Sequence, residues 1–185
     1  MKEKHIVMII DKSGSMSSIG REAVQSCNEF LKRQKEEGGE DRFTLVYFND
    51  HIDRQIVDKP LMEVDLIDEE SYHPNGCTAL LDCLGGEIAT LQGKDCDAFF
   101  VVMTDGMENS SREFNYPIVK KMMSESEKRG WKFLFLASGI EAGEEGERLG
   151  MKHIIKGEHN GKGMRKLMCE ASSSVSSWRK PSKKL

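Results

Sequence analysis

Short apolar runs alternate along this chain with segments whose apolar residues recur every three or four positions. The runs are residues 5–10 (HIVMII), 43–48 (FTLVYF), 98–103 (AFFVVM) and 131–137 (WKFLFLA). Their length and their β-branched and aromatic content mark strands, and their near-continuous apolarity marks strands covered on both faces. The segments between them read as amphipathic helices. Ile19, Ala23, Cys27, Phe30 and Leu31 share one side of a helix that Gly38-Gly39 ends. Leu80, Leu84, Ile88 and Leu91 share a second, opened by Thr78 and closed at Gly93. Ile118, Val119, Met122 and Met123 mark a third, stopped by Gly130. A short acidic helix (141–149), a sixth strand (152–156) and a last helix from near Gly161, ending in a Ser-rich stretch, complete the pattern.

One connection differs. Asn49-Asp50 is a turn signal, and Ile52, Ile56 and Val57 follow it as a further strand. That link is too short for a crossover, so this strand runs antiparallel, and Pro60 places it at a sheet edge. The expected fold is therefore α/β: a doubly wound, mostly parallel six-stranded sheet with one antiparallel edge strand and helices on both faces. Residues 1–178 are expected to form a single domain and 179–185 a basic, disordered tail. In open sheets of this kind ligands bind beyond the carboxyl ends of the strands, where connections diverge.

Charge and composition bound the function. The net charge is −4, which gives nucleic-acid binding no support. Positive charge gathers from residue 161 onward, where seven Lys and Arg stand against Glu170 alone; a solvated helix face is the preferred reading over a docking surface. No apolar run approaches the roughly 20 residues that span a bilayer, so no membrane association is expected. Five cysteines, an odd number with no C-x-x-C pair, read as free thiols in a reducing compartment. With no signal-peptide pattern at the N-terminus, a cytoplasmic location is expected.

Three polar stretches stand at the mouths of these elements. Asp11-Lys12-Ser13-Gly14-Ser15 follows the first strand, Asn75-Gly76-Cys77-Thr78-Ala79 precedes the second helix, and Thr104-Asp105-Gly106 follows the fourth strand. Each has an ordinary explanation by itself: Ser13, Ser15 or Thr78 could cap a helix, and Thr104-Asp105-Gly106 could be a turn. Together they offer two carboxylates and three hydroxyls at one sheet edge. Hard divalent cations take oxygen ligands, about six for Mg²⁺ with several kept as waters. Asp11, Ser13 and Ser15 alternate, so an extended turn would turn them to one side, and Gly14 would ease the bend.

Asp11-Lys12-Ser13-Gly14-Ser15 resembles the D-x-S-x-S motif of von Willebrand factor type A domains. Gly76-Cys77-Thr78-Ala79-Leu80 is similar to the threonine segment of that family, and Val101-Val102-Met103-Thr104-Asp105-Gly106 to its T-D-G segment. The likeness extends over residues 4–156 in element order and suggests the compact bacterial, cytoplasmic members. It implies a metal-ion-dependent adhesion site with Asp11, Ser13, Ser15, Thr78 and Asp105 as the metal set. Ser13, Ser15 and Thr78 would touch the ion, and Asp11 and Asp105 would act mostly through waters. Mg²⁺ is the expected cation, with Mn²⁺ and Ca²⁺ as alternatives. The implied function is a protein-binding module in which a partner's Asp or Glu completes the coordination. Residues 108–113, Ser17, Ser18 and the 73–77 loop are candidate rim contacts, and Asp82 a structural acceptor.

The competing reading is a metal-assisted phosphatase or hydrolase using Asp11 as nucleophile, as in haloacid-dehalogenase-like enzymes. Those carry a second aspartate two residues later, where this chain has Ser13, and no histidine has an evident place as general base. No catalytic residue is therefore assigned.

Overall fold

From His5 onward every residue of the first strand, β1 (Glu3–Asp11), is buried, as its unbroken apolar run requires. The computed structural model describes residues 2–180. With β2 (Arg42–Phe48), β3 (Ile52–Pro60), β4 (Cys96–Thr104), β5 (Lys132–Ser138) and β6 (Ile154–Gly157), β1 forms one sheet in the order β3-β2-β1-β4-β5-β6. Only the β2–β3 pair is antiparallel. The expected α/β architecture with one antiparallel edge is thus observed. Alternate β1 residues serve opposite faces. Ile6, Met8 and Ile10 pack with α1 (Gly20–Glu36) and α5 (Gly161–Arg179). Val7 and Ile9 pack on the side of α2 (Leu80–Gln92), α3 (Tyr116–Lys128) and α4 (Ile140–Leu149).

The chain leaves β1 towards β2 and leaves β4 towards β5, in opposite directions along the sheet. β1 and β4 are neighbours, with Ile10 beside Met103, so Asp11 and Thr104 end side by side. Their carboxyl ends are the place where the connections diverge, as in ligand-binding doubly wound sheets.

Several boundaries differ from expectation for physical reasons. A 3₁₀ turn, Gly14–Ser18, precedes α1, so the stretch after Asp11 is coiled rather than extended. Gly14 lies outside the positive-φ region; the nearby glycine that needs it is Gly76, with φ +73. A Cβ there would fall 2.1 Å from Asp50 Oδ1. α2 starts at Leu80 behind Ala79, leaving Thr78 outside the helix. The Ser-rich stretch is helical, as expected, and Ser173, Ser174 and Ser177 return their hydroxyls to carbonyls four residues back. α5 runs on to Arg179, one residue into the expected tail, while residues 181–185 lie outside the described residues. Arg179 is an internal anchor rather than a surface charge: its guanidinium bonds Asp41, the Gln34 carbonyl and the Gly38 carbonyl.

Near the amino edge, β1 carries a buried histidine. His5 Nε2 is 2.8 Å from Thr44 Oγ1, and Nδ1 is 3.8 Å from Asp58 Oδ1. Asp58 sits at φ 48 in the irregular part of the β2–β3 pairing and is bonded by Arg42 and Lys94. Burial holds the ring neutral, with its pKa down from 6.5 to about 4; Asp58 opposes the shift, and Lys94 and Arg42 add to it. The unfolded chain therefore takes up this proton first as pH falls. The stability contribution is fully present above about 6.5 and is lost between about 6.5 and about 4. Urea unfolding at about pH 7.5 and about pH 5 should show wild type losing about 2 kcal/mol more than a His5→Gln variant. Equal losses would mean that the ring is not held neutral.

Candidate functional site

Asp11 ends a central strand with both oxygens occupied. Oδ1 accepts from the Ser13 amide at 2.6 Å, and Oδ2 accepts from the Thr104 hydroxyl of the neighbouring strand at 2.6 Å. The residue is fully buried. Asp105, one residue beyond β4, has a side chain only 1% exposed. Its Oδ1 accepts from the Ser15 hydroxyl at 2.7 Å, and Ser15 Oγ lies 3.2 Å from Ser13 Oγ. Four of the five sequence-predicted residues are thus joined by hydrogen bonds, as Asp11–Ser13–Ser15–Asp105. None of the hydroxyls serves as a helix cap: Ser13 makes no capping bond, and α1 and α2 begin behind Ile19 and Ala79. The third ordinary reading holds in part, since the Gly106 amide does bond back to Thr104 Oγ1 at 3.2 Å. That turn leaves the Asp105 carboxylate free to meet Ser15.

Thr78 is brought to the same edge through its backbone. Its amide donates to Asn109 Oδ1 at 2.8 Å, and its carbonyl accepts from the Asn109 amide at 3.0 Å. The threonine loop in turn grips the first loop: the Gly14 amide donates to the Gly76 carbonyl at 3.1 Å, and the Asn75 amide to the Lys12 carbonyl at 2.9 Å. Asn49, at the end of β2, donates to the Asn75 carbonyl, and its own carbonyl accepts from the Ala79 amide. Tyr72 donates its hydroxyl to the Asp11 carbonyl. Side-chain bonds do not link Thr78 to the other four.

The electrostatics follow from burial. Withdrawal from water pushes the Asp11 carboxyl up to about 6, with the bonds from Thr104 and Ser13 working the other way. Asp105 is also raised by burial, against the Ser15 bond and the nearby His159. Among the described residues neither carboxylate pairs with a lysine or arginine. Two buried acids with hydroxyl neighbours and no lysine or arginine partner fit a bound cation, because buried charge is ordinarily paired or metal-bound. Among the described residues no group of three or more His, Cys, Asp and Glu is placed to hold a metal. An ion here would therefore depend on hydroxyl oxygens as much as on carboxylates. Such a donor set suits a hard cation.

Much of the expected rim is committed internally. Glu108 accepts from the amides of Leu81, Ser110 and Ser111 and from the Ser111 hydroxyl. Asp82 accepts from the amides of Arg112, Glu113 and Phe114, the structural role expected of it. Ser17, Ser18, His73 and Cys77 are exposed at the surface. The sequence assigned no role to Thr104 or His159, and Asn109, expected as a rim contact, holds the Thr78 backbone instead. Thr104 stands within the T-D-G segment, so its signal was present. Nothing local marks Asn109 or His159, whose side-chain partners lie 21 or more residues away.

No protein-family model and no curated protein sequence matches this chain. Solved structures do. The vWF domain of the type V pili tip protein Mfa5 from Porphyromonas gingivalis is similar at TM-score 0.75 and 10% identity, over 100% of this chain and 98% of that one. Mussel byssus proximal thread matrix protein 1, with a zinc-occupied MIDAS motif, is similar at TM-score 0.64 and 18% identity. That match covers 94% of this chain and 46% of the mussel chain, so this chain spans about half its length. Manganese-loaded Plasmodium vivax TRAP is similar at TM-score 0.62 and 14% identity, over 90% and 72% of the two chains. At such identities the likeness is one of architecture: the chain has the von Willebrand factor type A fold.

Proposed function

We propose that this protein is a metal-dependent protein-binding module. The observation that carries the reading is the buried, hydroxyl-linked pair Asp11 and Asp105 at the diverging strand ends, without a lysine or arginine to neutralise it. Ser13, Ser15, Thr78, Asp11 and Asp105 would hold the ion. Mg²⁺ is the favoured occupant, because hydroxyl and carboxylate oxygens suit a hard cation that keeps some water. The ion would supply positive charge to anchor an Asp or Glu carboxylate of the partner. Neutral hydroxyls leave more of that charge available than a full set of carboxylates would. The zinc and manganese in two similar structures support a divalent ion at this edge. Five free cysteines support a reducing, cytoplasmic setting. The hydrolase reading gains no support, since the oxygens of Asp11 face Ser13 and Thr104 from a fully buried position.

An ion bound only by the native state stabilises it, by about 2.7 kcal/mol at a hundredfold excess over Kd, or about 5–10 °C in Tm for a chain of this size. Mg²⁺ or Mn²⁺ should raise Tm by that order, and Asp11→Ala and Asp105→Ala should abolish the rise. A wild-type Tm indifferent to both ions would sink the metal reading. A pull-down with and without chelator tests the partner reading: captured protein should be lost with the ion, and Asp11-dependent turnover of a phosphate ester would replace this proposal with the hydrolase.

The pH behaviour supplies another test. In chelator the raised Asp11 pKa means that the native state holds this proton longer than the unfolded chain. Stability should therefore fall as pH rises from about 3.8 to about 6. Asp11→Asn should remove that decline and be the more stable protein near neutrality in chelator, yet the less stable one in saturating Mn²⁺. Thermal melts in both buffers check the reversal; the same ranking in both would refute it.

A further inference from the structure

We propose that His159 is a positioning residue of the cation site, setting the orientation of Asp105; this rests on the metal-binding reading above. His159 lies in the loop between β6 and α5, far in sequence from every motif residue. Its ring spans three other strand-end loops. Nε2 is 3.0 Å from Ser18 Oγ, beyond β1, and Nδ1 is 3.2 Å from Ser138 Oγ, at the end of β5. Nδ1 is also 3.8 Å from Asp105 Oδ2, beyond β4. The two oxygens of Asp105 are therefore approached by different partners: Ser15 holds Oδ1, and the imidazole edge faces Oδ2. A carboxylate so flanked has little freedom to swing.

The ring itself is placed firmly. Asn160 caps α5 by accepting from the Gly163 amide at 2.8 Å, and its own amide donates to the Glu158 carbonyl at 2.9 Å. On the other side the Gly139 amide donates to the Gly157 carbonyl at 2.9 Å, which ties the β5 end to the β6 end. Gly139, at φ +101, brings its backbone close to the base of the His159 side chain: a Cβ there would stand 3.7 Å from the His159 Cβ. Residues that orient metal-binding carboxylates from behind commonly change metal affinity 10- to 100-fold when removed.

The roles of the two ring nitrogens are separable. An asparagine amide nitrogen takes the place of Nδ1, which faces Ser138 and Asp105, and a glutamine amide nitrogen takes the place of Nε2, which faces Ser18. The test is Mn²⁺ binding followed by electron paramagnetic resonance, with Mg²⁺ and Zn²⁺ affinities obtained by competition. Wild type, His159→Ala, His159→Asn and His159→Gln are compared, and Tm in chelator is recorded for each. His159→Ala should weaken all three ions by about 10- to 100-fold and to a similar extent, with little change of Tm in chelator. His159→Asn should recover most of the affinity and His159→Gln little of it. Unchanged affinity in His159→Ala overturns the assignment. A loss confined to Zn²⁺ also overturns it, since it would make the imidazole a direct ligand. Recovery by Gln rather than Asn overturns it too, by placing the effect on Ser18. A wild type that binds no Mn²⁺ fails the cation reading itself, and this inference with it.

Discussion

The carboxylate of Asp11 is withdrawn from water at the end of a strand flanked on both sides by parallel neighbours. An ionised carboxylate in such a place costs several kcal/mol unless donors surround it. Its own strand supplies none, so the donors come from what lies next to it. The Ser13 amide curls back from the following turn, and the Thr104 hydroxyl reaches across from β4. These two bonds fix where the first loop leaves the sheet and how the fourth strand ends. Tyr72, packed edge-to-face on Tyr47, then closes over the Asp11 carbonyl. The same unfavourable burial that organises the loops makes the assembled edge a place where positive charge is welcome.

A second layer of bonds keeps that edge in shape. The 105–115 connection contains no regular secondary structure, and ordering such a segment costs about 1–2 kcal/mol per residue. Glu108 and Asp82 absorb its amides, and bonds to charged acceptors contribute about 1.5–3 kcal/mol each. Glu108 was expected as a contact for a partner; instead it joins Asp82, expected as a structural acceptor, in holding the frame within which Thr78 and Asp105 face the first loop. The exposed surface at this edge is left to smaller groups, among them Ser15, Ser17, Ser18 and His159.

The strands and their two-sided burial were legible because a covered parallel strand has to be apolar throughout, and residues 5–10 and 98–103 are. The antiparallel edge was legible because no crossover fits between Phe48 and Ile52. The meeting of Asp11, Ser13, Ser15 and Asp105 was legible because they stand immediately after strands, where position in sequence translates directly into position on the sheet. Legibility ended where a residue's role depends on a distant partner. Gly14 looked like the hinge, but the positive φ belongs to Gly76, squeezed by Asp50 across the hairpin. Asn109 and His159 occupy loops whose composition says nothing about what they meet. Arg179 looked like part of a charged tail because Asp41 and Gln34 are more than 130 residues earlier.

Arg179 has a further consequence. It fastens the end of α5 beside Asp41, just ahead of β2, and Lys4 at the start of β1 reaches the carbonyls of Trp178 and Arg179. Both outer ends of the described chain therefore emerge together at the amino edge of the sheet, while the polar loops crown the opposite edge. The domain is polarised like a plug with its leads on one side and its contacts on the other. A surface, a linker or a neighbouring domain joined at either end would hold the molecule from behind, leaving the face with Ser15 and Asp105 turned outward to whatever approaches.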